Sequence, residues 1–160
     1  LQSRPGERGI LASVMGADGS LSHLLTLPGG GSRHPSTEET VKQGLHTLKM
    51  AGREVFKHAV NTMSAAATEA LRRAGLTIED VNCMIPHQAN QRIISAIAEK
   101  LGVSEEKCFV NVDKCGNMST ASIAVALDQA VQAGRVHKKD IVLLVVFGGG
   151  FTWGATIIEW

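Results

Sequence analysis

The chain has 160 residues, 44% of them apolar, with 16 basic against 15 acidic residues for a net charge of +1. That supports one sizeable core, and without a Lys/Arg block it leaves no electrostatic footprint for nucleic acid. No run reaches the roughly 18 apolar residues of a membrane helix, and Cys83, Cys108 and Cys115 match no zinc spacing, so neither membrane nor metal is expected and a reducing cytoplasm is.

LQSRPGERG, at the start, reads as a surface turn inside a longer protein. GILASVM, residues 9–15, predicts a strand ending at the turn Gly16-Ala17-Asp18-Gly19. Residues 28–40, PGGGSRHPSTEET, predict a flexible loop, most mobile over 28–36. Its glycines lack the lysine-serine pair and helix start of a phosphate cradle. From 45 to 74, Val55, Phe56, Ala59, Val60, Met63, Ala66, Ala67, Ala70 and Leu71 recur at helical spacing, and Gly75 stands where a left-handed cap belongs. Gly52 interrupts that pattern, marking either a helix start or a close approach by a ligand.

A strand is expected at 81–85, then a helix at 88–101 with Ile93, Ile94, Ile97 and Leu101 on one face, then a strand at 108–112. Residues 119–134 predict a helix opened by Ser119 or Thr120 and closed by Gly134. DIVLLVVF, 140–147, reads as a strand covered on both faces, and Gly148 to Gly150 turn it into a last antiparallel strand. The order implies an α/β fold with a mostly parallel sheet. Between 121 and 131 only Ser122, Asp128 and Gln129 are polar. A helix so apolar belongs between two layers, and 160 residues scarcely supply both, which again points to a piece of a larger fold.

Ligands of parallel sheets bind beyond the carboxyl ends of the strands. Three strand ends here carry Pro86-His87-Gln88-Ala89-Asn90, Asp113-Lys114-Cys115-Gly116-Asn117-Met118-Ser119 and Phe147-Gly148-Gly149-Gly150-Phe151. His87 and the Asn117 amide are donors for one developing oxyanion, and bare glycine N–H groups suit a second. Losing one such donor costs about 10²–10³ in rate. The bland reading is a polar helix start, an ordinary Gly-Asn turn and a tight hairpin. Cys115 has only Lys114 beside it to lower its pKa, so the constellation lacks an obvious attacking group.

PHQAN, GNMSTAS and FGGGFTWGA, in that order, closely resemble the β-ketoacyl-acyl-carrier-protein synthase III family. The resemblance implies the thiolase fold, a five-layer α-β-α-β-α arrangement of two similar halves. Residues 41–160 would be its C-terminal half, with a mixed sheet and a central buried helix at 119–133. Residues 1–40 would be the end of the N-terminal half and the connecting loop. His87 and Asn117 match two members of a Cys-His-Asn triad whose cysteine belongs to the N-terminal half, and Gly149 matches the oxyanion-hole glycine. Gly52, Phe56, Ala89, Asn90 and Arg92 match positions near the coenzyme A and pantetheine tunnel, and Phe147 lines the inner pocket. Lys57, Arg92 and Lys100 would face the acidic carrier protein.

The implied reaction joins an acyl group, usually acetyl from acetyl-CoA, to malonyl-acyl carrier protein with loss of CO₂, with acyl-CoA as substrate and no cofactor. The implied partners are a complementary N-terminal half and, for the full enzyme, a second copy in a homodimer. Two alternatives stand beside this one: a non-catalytic subunit binding coenzyme A or carrier protein, and a thiolase-fold synthase of other acyl specificity.

Overall fold

The computed structural model describes residues 9–160, so the surface turn expected in the first eight residues lies outside the described residues. In chain order it forms strand β1 (Gly9–Ala17), strand β2 (Leu25–Thr26), helix α1 (Glu38–Lys42), strand β3 (Lys49–Met50) and helix α2 (Gly52–Ala74). Strand β4 (Cys83–Pro86), helix α3 (Gln91–Leu101), helix α4 (Val112–Cys115), helix α5 (Ala121–Gln132), strand β5 (Ile141–Gly148) and strand β6 (Thr152–Glu159) follow.

The apolar run at 141–148 is one of two inner strands of a mixed sheet ordered β1-β6-β5-β4. β4 runs parallel to β5, placing Ile85 opposite Leu144, while β6 pairs antiparallel with both β5 and β1. Residues 9–17, ahead of the boundary drawn at residue 40, thus share a sheet with residues 141–159. β2 and β3 form a separate two-stranded ribbon.

Strand alternation divides the core into two. Met84, Leu143, Val145, Ala155 and Ile157 face one side and pack with α2 and α3. Cys83, Ile85, Val142 and Ile158 face the other and meet Ala126 and Ala130 of α5. Packing, rather than propensity, holds α3: each β-branched isoleucine costs a few tenths of a kcal/mol in a helix. Burying each of Ile93, Ile94 and Ile97 contributes about 1.5–3 kcal/mol. Gly75 and Gly102 close α2 and α3 in the left-handed conformation, at φ 71° and 74°.

Four expectations need correction. The helix expected from residue 45 begins at Gly52, because Lys49 and Met50 pair with Thr26 and Leu25 and Ala51 N–H bonds Leu24 O. The helix expected from 88 begins at Gln91, with Asn90 Oδ1 accepting Arg92 N–H at 2.8 Å as its cap. The strand expected at 108–112 amounts to one bridge, Met84 to Cys108, after which the chain turns into α4. The sheet expected to be mostly parallel has, among the described residues, one parallel pairing, β4–β5, beside two antiparallel ones. Thr120 stands at the N-cap of α5 as expected, without a side-chain cap, and Ser122 Oγ, inside the helix, accepts Met118 N–H at 3.0 Å.

α5 buries one stripe, Ser122, Ala126 and Ala130, against the sheet. Its opposite side, with Ala121 and Ala124, is exposed within this chain. Among the described residues no helix is long and apolar enough to cross a membrane.

Candidate functional site

β4 and β5 deliver their C-terminal ends side by side, and a cleft of about 1540 Å³ opens beyond them. His87, Asn117, Gly149, Gly52, Phe56, Ala89, Asn90, Arg92 and Phe147 all line it. Residues far apart in sequence are thus brought to one wall-lined space. Lys57 and Lys100 are not part of its lining: both are exposed on the outer helices, and Lys100 Nζ donates to Asn61 Oδ1.

His87 N–H donates to Val145 O at 2.8 Å, which extends the β4–β5 ladder by one residue and fixes the backbone under the imidazole. The residue is 9% exposed and its ring makes no hydrogen bond within the described residues, so its N–H remains available to a ligand. Burial disfavours the imidazolium and holds the His87 pKa below its ordinary 6.5. The ring meets Phe147 edge-on at 5.6 Å, Phe147 stacks on Phe151 at 5.9 Å, and Phe151 meets His58 at 6.1 Å. That apolar ladder keeps water from one side of His87.

Asn117 is set by its own turn. Its Oδ1 accepts Ser119 N–H at 2.9 Å, which assigns the oxygen and leaves Nδ2 as the outward donor. Positive φ brackets the turn, at Gly116 (φ 65°, ψ −167°) and Ser119 (φ 54°). Residues in such sparsely populated conformations cluster at functional sites.

At the third strand end, Gly149 and Gly150 donate their N–H groups to no protein acceptor among the described residues. A side chain at Gly149 would press its Cβ to 3.3 Å from Leu25 O. Asp18 and Phe151 exchange both backbone hydrogen bonds, at 2.8 and 3.1 Å, and anchor the turn. On the outer wall the Arg92 guanidinium sits over the Phe56 ring at 5.7 Å.

Cys115 is absent from the lining; its Sγ faces α5, 3.7 Å from Gln129 Nε2. Cys83 and Cys108 are buried, and desolvation lifts their thiols to about 11 and about 12. Two residues inside the quoted motifs carry no expected role: Gln88, whose buried side chain joins the first loop to the second, and Trp153, which lines the cleft. A second polar residue, next to His87 and two past a fully buried strand, is the available signal for Gln88. Trp153 sits inside the quoted FTWGA run. Chemically, the cleft offers N–H donors, and among the described residues no cysteine lines it.

The profile of the 3-oxoacyl-[acyl-carrier-protein (ACP)] synthase III C-terminal family matches residues 71–160. The β-ketoacyl-[acyl-carrier-protein] synthase III of Desulfitobacterium hafniense DCB-2 is 53% identical over 152 residues, 95% of this chain and 46% of that protein. The solved structure of the Thermus thermophilus synthase III superposes with a TM-score of 0.86 at 45% identity, covering 99% of this chain and 48% of that one. The Aquifex aeolicus VF5 synthase III does so with a TM-score of 0.85 at 42% identity, covering 99% and 47%. The chain therefore spans about half the length of the curated relatives it matches.

Proposed function

The chain belongs to the 3-oxoacyl-[acyl-carrier-protein] synthase III family, and we propose that it supplies the C-terminal part of a thiolase-fold acyltransferase that joins acetyl from acetyl-CoA to malonyl-acyl carrier protein, starting fatty acid synthesis. The observation that carries this reading is the convergence of His87, Asn117 and Gly149 on one cleft that no cysteine lines among the described residues.

A cysteine thiolate from the complementary N-terminal half attacks the acyl-CoA carbonyl. The bond from that carbon to the coenzyme A sulfur breaks, and the thiolate of coenzyme A takes a proton as it leaves. The malonyl thioester then enters. Its C–CO₂ bond breaks, CO₂ departs, and the electron pair moves into an enolate whose oxygen receives N–H bonds from His87 and Asn117. These donors act where charge develops, so neutral groups serve and a strong base is not needed. The enolate carbon attacks the acyl carbonyl on cysteine, the Gly149 N–H holds the resulting oxyanion, and collapse expels cysteine thiolate and leaves β-ketoacyl-acyl carrier protein.

Acyl-CoA is a substrate in this scheme and no resident cofactor takes part. Gly52, Phe56, Ala89, Asn90 and Arg92 form the approach for the pantetheine arm, with Phe147 at its inner end. Lys57, Arg92 and Lys100 offer positive charge to the acidic carrier protein. The working enzyme in this reading is a cytoplasmic homodimer of complete subunits.

The test uses the complete enzyme containing this chain and assays the two half-reactions separately. His87→Ala should lower malonyl decarboxylation by about 10²-fold or more while acyl transfer from acyl-CoA to cysteine persists. Loss of acyl loading with decarboxylation intact would overturn the role given to His87.

A further inference from the structure

We propose that Gln88 is the positioning residue that sets the His87 and Asn117 loops against each other, an inference that rests on reading both side chains as oxyanion donors. The chain bends at Gln88, where Ala89 N–H bonds His87 O at 2.9 Å, and the two neighbouring side chains have different surroundings. His87 lines the cleft, whereas Gln88 is 0% exposed and absent from the lining.

A carboxamide has two N–H donors and two acceptor lone pairs, and burying it is costly unless they are used. Gln88 uses all four. Its Nε2 donates to Pro86 O at 2.8 Å and to Phe109 O at 3.2 Å. Its Oε1 accepts Asn111 N–H at 2.9 Å and Val112 N–H at 3.1 Å. The last two bonds fall at the start of α4. Asn111 gives that helix no side-chain cap: its Nδ2 donates to Gln129 Oε1 at 2.9 Å, and its buried Oδ1 accepts no hydrogen bond among the described residues. Gln88 thus caps α4 from another loop. α4 runs four residues to Cys115, with Gly116 N–H bonded to Val112 O at 3.0 Å, and Asn117 comes next. From the backbone of His87 to that of Asn117 the path is one buried side chain and one turn of helix.

An apolar side chain of similar volume would fill the space but leave these two loops free to slide by a fraction of an ångström. A misplacement of about 1 Å at a reacting centre costs on the order of 10²-fold. The enolate oxygen needs both donors at once, whereas acyl loading of the cysteine does not call on them.

In the complete enzyme, Gln88→Met should lower malonyl decarboxylation by about 10- to 100-fold, leave cysteine acylation within about two-fold and change the KM for the malonyl carrier little. Gln88→Glu, protonated at this buried site, keeps the acceptor and one donor and should lose less. In an Asn117→Ala background, Gln88→Met should add almost nothing, since the pair it aligns is already broken. The proposal is overturned if Gln88→Met decarboxylates at the parent rate, if loading and decarboxylation fall alike, or if the two losses multiply. If Gln88→Met does not fold, a Gln88→Glu enzyme with parent decarboxylation overturns it. Should His87→Ala and Asn117→Ala both spare decarboxylation, the reading of the site fails. Should they impair it while Gln88→Met does not, only the clasp fails.

Discussion

The His87 imidazole meets the Phe147 ring edge-on, with centroids 5.6 Å apart and planes at 77°. An apolar neighbour in that position strips water from one side of a group whose cation needs water. Burial accordingly holds the His87 pKa below 6.5. A ring whose pKa lies below its ordinary value favours the neutral form at pH 7, which leaves one N–H to offer without a full charge.

The sign for stability follows from linkage. Between the folded value and 6.5 the unfolded chain binds more protons than the folded one, so stability falls as pH falls through that window. Above 6.5 both states hold a neutral ring and the contribution is fully present. An NMR titration of the His87 ring protons in the complete enzyme should give a midpoint below 6.5, and Phe147→Ala, by admitting water, should raise it. A midpoint at or above 6.5 in the parent enzyme would refute this.

Gly116 supports a second prediction. Nothing lies within 4 Å of a Cβ built there, so space is not the obstacle; φ 65° with ψ −167° is. An L residue pays about 1–3 kcal/mol for such backbone or moves the turn. Gly116→Ala should lower the melting temperature, and because Asn117 follows directly, decarboxylation should drop with it. Gly134→Ala, also left-handed at φ 65° but far along the chain at the end of α5, should cost stability while sparing catalysis. Equal catalytic losses in the two variants would contradict the link between the Gly116 turn and Asn117.

Elements held by local spacing are legible in this sequence, and elements set by long-range bonds are not. The α3 stripe and the strand at 141–148 were legible because their apolar spacing is local and their burial is continuous. The strand expected at 108–112 failed because Gln88, more than 20 residues earlier, captures the Asn111 and Val112 N–H groups that a ladder would have used. No window of local pattern contains that bond. The start of α2 was misplaced for a similar reason, since Leu25 and Thr26 draw Lys49 and Met50 into a ribbon. Within the site, three polar strand ends predicted one shared edge, and the cleft contains all three. Lys57 and Lys100, expected on a surface, are exposed on α2 and α3 outside that cleft.

The uncovered side of α5 leads to the last prediction. Ser122, Ala126 and Ala130, four residues apart, lie on the sheet, while Ile123, Val125, Leu127 and Val131 are only half-buried and Ala121 and Ala124 are exposed. On β1, Met15 is 88% exposed and Ile10 58%. A soluble monomer rarely leaves so much contiguous apolar surface in water, and the matched relatives are about twice as long. The 160-residue chain produced alone should therefore self-associate, with sedimentation velocity showing species that grow with concentration, and it should bind a hydrophobic dye. Ala124→Glu, which places a charge on the exposed side of α5 without touching the sheet, should reduce both signals. In the complete enzyme the same substitution should be destabilising, because a charge would then face apolar neighbours without a partner. A chain that sediments as a monomer at all concentrations and melts in one sharp transition would show that this side of α5 needs no cover.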